Sequence, residues 1–120
     1  MTQANHTVLV VEDEEELRDS IRDLLEDTGY LVVTASDGQE ALDALVGVEH
    51  PCVVLLDLLM PRMNGWDFFA ALRARPNLAD VPVVVYSSAP DSAPEGVTRV
   101  LSKPLQPERL LSVVREYCAE

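Results

Sequence analysis

Short apolar runs that end on polar residues, alternating with stretches of helical periodicity, constrain this chain more than any other feature. Thr7-Val8-Leu9-Val10-Val11 runs into Glu12-Asp13, Val53-Val54-Leu55-Leu56 into Asp57, and Val83-Val84-Val85-Tyr86 into Ser87-Ser88. Leu31-Val32-Val33-Thr34-Ala35 and the weaker Arg99-Val100-Leu101-Ser102 complete five candidate strands. Continuous apolar character, rather than strict alternation, marks strands covered on both faces, as in a parallel sheet flanked by helices.

Helices fall between these runs. Leu17, Ile21, Leu24 and Leu25 recur at helical spacing, and Gly29 stands where a C-terminal cap belongs. Ser36-Asp37-Gly38-Gln39 offers an N-cap to a segment carrying Ala41, Leu42 and Leu45. Trp66, Phe69 and Leu72 mark a third helix, stopped by Pro76. Phe68 lies on the same segment, and three aromatics cannot all face one way, so Trp66 or Phe68 is expected to be exposed at least in part. Pro107 suits the first position of a last helix carrying Leu110, Leu111, Val114 and Tyr117. The order predicts an α/β fold, a doubly wound five-stranded parallel sheet with right-handed crossovers. One crossover is unusual. The 11 residues from Ser88 to Thr98 hold Pro90, Pro94 and Gly96 and show no apolar stripe. They barely suffice to join parallel strands, which predicts a shortened fourth helix of one or two turns at most, starting near Pro94.

At 120 residues the chain is expected to be a single domain over 1–120, with its core at about 7–118 and no output domain. Nine Lys and Arg against 21 Asp and Glu leave a net charge of −12, which argues against nucleic acid and anionic membrane surfaces as partners. No 18-residue apolar run exists to insert in a membrane. The start Met1-Thr2-Gln3-Ala4-Asn5-His6 lacks the basic-then-apolar pattern of a secretory leader. Cys52 and Cys118 stand 66 residues apart and form no CxxC pair, which suggests two free thiols in a reducing cytoplasm.

In an open α/β sheet ligands bind beyond the carboxyl ends of the strands. If the first and third strands are neighbours, Glu12, Asp13 and Asp57 converge there, with Ser87 and Lys103 beside them. Three close carboxylates repel, so a proton or a cation must offset their charge. Oxygen ligands alone select a hard ion such as Mg²⁺. Lys103 supplies a point charge for a phosphate or for Asp57. Such a set suits phosphoryl transfer, with Asp57 as the nucleophile that forms an acyl phosphate. Each residue also has a plainer reading. Glu14, Glu15 and Glu16 read as a solvated helix N-terminus. Asp57 alone could cap a turn before Met60-Pro61, Tyr86 reads as core packing, and a lysine before a proline is ordinarily a surface residue.

Taken in order, the pieces resemble a response-regulator receiver domain of two-component signalling, with a chemotaxis-regulator-like fold of the stand-alone type. They are Val10-Val11-Glu12-Asp13, Gly29-Tyr30-Leu31-Val32, Ala35-Ser36-Asp37-Gly38-Gln39-Glu40-Ala41-Leu42, Leu56-Asp57-Leu58-Leu59-Met60-Pro61 with Met63-Asn64-Gly65, Pro82 to Ser88, and Lys103-Pro104. The resemblance implies a flavodoxin-like sheet order 2-1-3-4-5. It implies that Asp57 accepts a phosphoryl group from a sensor histidine kinase or a histidine phosphotransfer protein. Mg²⁺ would then be held by Glu12, Asp13, Asp57 and the backbone carbonyl of Leu59. Ser87 and Lys103 would bind the phosphoryl oxygens, and the Lys103–Pro104 bond would be cis. Phosphorylation would switch the binding of a downstream target protein. The chain would thus be a regulator, not an enzyme, beyond promoting its own phosphorylation and slow dephosphorylation.

Two departures bear on switching and lifetime. Val100 stands three residues before the lysine, where the family usually carries an aromatic that rotates on phosphorylation. Leu59 and Ala89, each two residues beyond Asp57 or Ser87, offer no hydrogen bond to an attacking water, which predicts slow self-dephosphorylation. Among rivals, an aspartyl phosphohydrolase needs a second acid where Leu59 stands. A flavin carrier needs a phosphate loop where Glu12 to Glu16 would repel one. A pseudo-receiver, never phosphorylated, is the remaining alternative.

Overall fold

The computed structural model describes residues 7–46, 51–58, 60 and 63–118. The strands are β1 (Thr7–Val11), β2 (Leu31–Ala35), β3 (Val53–Asp57), β4 (Val83–Ser87) and β5 (Arg99–Ser102). They alternate with the helices α1 (Glu15–Asp27), α2 (Gly38–Val46), α3 (Gly65–Arg73) and, at the end, α4 (Pro107–Tyr117). All neighbouring strands pair in parallel, in the order β2-β1-β3-β4-β5. The five apolar runs are therefore the five strands, and the sheet has the expected order.

Alternation along each strand divides the core in two. Leu9, Val11, Val54, Leu56, Val83 and Val85 face one way, against Leu42 and Leu45 of α2 and Phe68 and Leu72 of α3. Val8, Val10, Val53, Leu55, Val84 and Tyr86 face the other, against Ile21 and Leu25 of α1 and Leu110, Val113 and Val114 of α4. Each such side chain, once buried, stabilises the fold by about 1.5–3 kcal/mol relative to exposure, before chain entropy is counted. A sheet covered on both faces thus accounts for the unbroken apolar runs.

Local chemistry sets the helix ends. Asp37 accepts a hydrogen bond from the Glu40 N–H at 2.8 Å, and Asn64 accepts one from the Asp67 N–H at 2.9 Å, so α2 and α3 are both capped by short polar side chains. Gly29 follows α1 with φ +108°, the left-handed turn a glycine permits. Phe68 and Phe69 are buried, and Trp66 is the aromatic left partly open.

The crossover after β4 contains no α-helix. A single 3₁₀ turn at Pro90–Ser92 stands there, four residues ahead of the expected start at Pro94. Ala93 explains the stop: it precedes Pro94 and is driven into extended backbone, φ −63° and ψ 145°. The loop is nevertheless held down. The Trp66 indole N–H donates to the Ser92 carbonyl at 2.8 Å, and Ala93 and Val97 pack against the α2–α3 core.

The cysteines overturn an expectation. Cys52 and Cys118 are joined in a disulfide rather than free, with their Cα atoms 5.3 Å apart. Cys52 stands just before β3 and Cys118 just after α4, and α4 packs so that its end meets the start of β3. Separation along the chain carries no information about that meeting. Under denaturing, non-reducing conditions iodoacetamide is expected to label neither cysteine, and after reduction both. Full labelling without reductant would show that the bond is absent.

Candidate functional site

Strand register assembles the site. Val11 pairs with Leu56, so the next residues, Glu12 and Asp57, leave the sheet side by side. Asp57 pairs with Tyr86, and Ser87 with Ser102, so Ser87 and Lys103 arrive at the same edge. The Gly65 N–H donates to the Leu58 carbonyl at 2.9 Å and brings the start of α3 against the end of β3. A Cβ at Gly65 would lie 2.7 Å from the Leu58 Cα and 2.9 Å from the Asp57 carbonyl oxygen, so only glycine allows this approach.

One oxygen from each of Glu12, Asp13 and Asp57 lies within 4.8 Å of the others. Glu12 and Asp57 are buried and Asp13 is exposed. Lys103 Nζ stands 3.5 Å from Asp57 Oδ2 and 3.9 Å from Glu12 Oε1, bridging the two buried acids. The Lys103–Pro104 bond is cis. Ser87 is buried, and its hydroxyl oxygen accepts the Ala89 N–H at 3.0 Å. Ser88 and Ala89 are exposed, whereas Val100 is partly buried on β5. Leu59, the expected source of a backbone ligand, lies outside the described residues, as does Pro61.

The electrostatics follow from burial. Loss of water pushes the Glu12 carboxyl up to about 7, and the Asp57 charge adds to this. The Glu14 N–H, the Tyr86 hydroxyl and the Lys103 ammonium pull the other way without cancelling it. All-oxygen donors, two buried and one open to solvent, match a small hard cation that keeps part of its water shell. The residues therefore fit Mg²⁺, and Glu12, Asp13 and Asp57 are the side chains that could hold it.

Tyr86 is more than the core residue its strand position suggested. Its ring is fully buried, but its hydroxyl donates to Glu12 Oε1 at 2.8 Å. Lys103 Nζ also lies 5.4 Å from the ring centroid. The signal in the sequence was a tyrosine in a valine run: a buried phenol needs a partner, and the acids were the nearest candidates. Arg18 was not anticipated either. It donates from α1 to the Glu12 backbone carbonyl at 3.1 Å and ties the helix to the end of β1.

The family model for the response regulator receiver domain matches residues 8–115. Response regulator MprA of Mycolicibacterium vanbaalenii is 38% identical, over 90% of this chain and 48% of that protein. An uncharacterised 14.6 kDa protein of Leptolyngbya boryana is 32% identical, over 98% of this chain and 93% of its own length. The solved structure of Vibrio cholerae chemotaxis protein CheY4 superposes with a TM-score of 0.84 at 32% identity, covering 95% of this chain and 99% of that one. Against MprA, and likewise against the ycf27 regulators of Guillardia theta and Cyanophora paradoxa, the chain spans about half the length of the relative.

Proposed function

Since the chain belongs to the response regulator receiver domain family of two-component systems, we propose that it works as a phosphorylation switch centred on Asp57. The observation that carries this reading is the meeting of Glu12, Asp13, Asp57, Ser87 and Lys103 at one edge of the sheet. The donor is a phosphohistidine of a sensor histidine kinase or a histidine phosphotransfer protein. An Asp57 carboxylate oxygen attacks phosphorus, the P–N bond breaks, and the imidazole leaves with the bonding pair. Lys103, 3.5 Å from Asp57, turns its charge to the incoming phosphoryl oxygens. The Ser87 hydroxyl, whose oxygen already accepts the Ala89 N–H, keeps its proton free to donate to the phosphoryl group. Mg²⁺ held by the three carboxylates would supply the positive charge that offsets their repulsion and that of the phosphoryl oxygens. The chemistry ends on the chain's own side chain, which makes this a regulator rather than an enzyme.

Output passes through Ser87. Its new bond would pull on Ser88–Ala89 and so on the Pro90–Ser92 turn, which the Trp66 indole holds. That loop and α4 are the faces we assign to a downstream target protein. Val100, with no ring to rotate, leaves the loop as the route. Phosphorylated chain is expected to persist for minutes or longer after removal of the phosphodonor, because Leu59 and Ala89 offer an attacking water no hydrogen bond. Decay within seconds, followed by intact mass, would overturn that expectation.

Among the described residues no helix is long and apolar enough to cross a membrane. We place the protein in the cytoplasm, where two-component kinases present their phosphohistidine.

A further inference from the structure

We propose that Tyr86 is a positioning residue for the metal-binding carboxylates, its buried hydroxyl holding Glu12 in the orientation that sets it beside Asp13 and Asp57. The inference rests on the reading of those three acids as a Mg²⁺ site. Glu12 carries three rotatable side-chain bonds, and the fold ties both of its oxygens. Oε2 accepts the Glu14 N–H at 3.0 Å, and Oε1 accepts the Tyr86 hydroxyl at 2.8 Å. Lys103 Nζ stands 3.9 Å from Oε1, too far for a hydrogen bond. Removing the hydroxyl would leave that oxygen without its donor in a place water does not reach.

Tyr86 itself has little freedom. It lies on β4 inside the sheet, fully buried among Val8, Val10, Val84 and Leu101. Side chains alternate along a strand, so Ser87 and Tyr86 point to opposite faces. One dipeptide thus serves both halves of the site: Ser87 for the phosphoryl group and Tyr86 beneath the acids. The Tyr86 ring also lies under Lys103, a contact that phenylalanine would keep. Tyr86→Phe therefore isolates the hydroxyl.

Mg²⁺ titrations of the full chain, followed by amide NMR at Asp13 and Glu14, test the proposal. The dissociation constant should rise about tenfold in Tyr86→Phe, as when other groups that orient metal ligands are removed. In a Glu12→Asp background the shortened carboxylate no longer reaches the hydroxyl, so the Phe substitution should change the constant less than about twofold. A signature without any variant comes from tyrosine labelled at Cζ: the Tyr86 resonance should move with Mg²⁺ while those of Tyr30 and Tyr117 stay. An unchanged constant, the same effect in both backgrounds, or a still Tyr86 resonance would each overturn the proposal. In that event wild type would still bind Mg²⁺ and Tyr86 would be a structural residue only. Wild type that shows no saturable Mg²⁺ shift would instead overturn the metal site itself, and the proposal with it.

Discussion

Incubated with acetyl phosphate and Mg²⁺, the chain should gain the mass of one phosphoryl group, and Asp57→Asn should gain none. The asparagine amide fills the same space beside Lys103 but has no anionic oxygen to attack phosphorus, so the loss should be complete rather than partial. Chelation of the metal should also abolish the gain, because phosphoryl transfer at this edge then lacks the charge that offsets three carboxylates. Ser87→Ala and Lys103→Ala are expected to be milder in the first step, since both groups act on the phosphoryl oxygens and neither is the nucleophile. Phosphoryl gain retained by Asp57→Asn would place the acceptor elsewhere. No gain in folded wild type, with an authentic sensor kinase failing too, would make this a pseudo-receiver that binds its partner constitutively.

The second large effect concerns stability without metal. In the unfolded chain Glu12 ionises near its ordinary value of 4.5, whereas in the fold it keeps its proton until about 7. Between those values folding takes up a proton, so stability falls as pH rises through this window and levels off above it. The separation corresponds to a loss of about 3 kcal/mol assignable to Glu12. Other acids in a chain of charge −12 also contribute, so the measurement is a difference. In EDTA, urea unfolding of wild type should lose about 3 kcal/mol more between pH 4.5 and 7.5 than that of Glu12→Gln. Mg²⁺ added at the higher pH should restore wild type and leave Glu12→Gln nearly unmoved. Parallel pH curves for the two chains would show that the buried carboxyl carries no such penalty.

Much of the molecule was legible before its structure. All five strands fall on the runs, most clearly β1, β3 and β4, because a central strand buried on both faces is apolar along almost its whole length, whereas the edge strands β2 and β5 stay partly exposed. Pro107 and Gly29 mark helix ends for stereochemical reasons that operate within a few residues. That Glu12, Asp13, Asp57 and Lys103 would be drawn together was legible for a related reason. Polar groups placed directly after buried strands must emerge at one edge of a parallel sheet. The crossover was read correctly as short, but its single turn was misplaced. Both Pro90 and Pro94 can begin a helical turn, and the restriction that Pro94 imposes on Ala93 ends the earlier turn without itself choosing between the two starts.

Contacts between distant segments were not legible. The Cys52–Cys118 bond and the Tyr86–Glu12 hydrogen bond join residues 66 and 74 positions apart. The disulfide leaves no pattern along the chain, because it depends on how α4 lies on the sheet, and a tyrosine in a valine run signals only that its phenol needs a partner, not that it reaches past β3 to Glu12. Glu12 shows the division most clearly. Its place at the end of an apolar strand is enough to make it a ligand candidate. Its raised affinity for a proton comes from the depth of its burial and from the Asp57 charge, against the opposing pull of the Glu14 N–H, Tyr86 and Lys103, and those neighbours are set by strand order and register. Periodicity and local stereochemistry are properties of neighbouring residues and can be read in one dimension. Charge, burial and reach are properties of the folded volume, and they arise only when the sheet has closed around them.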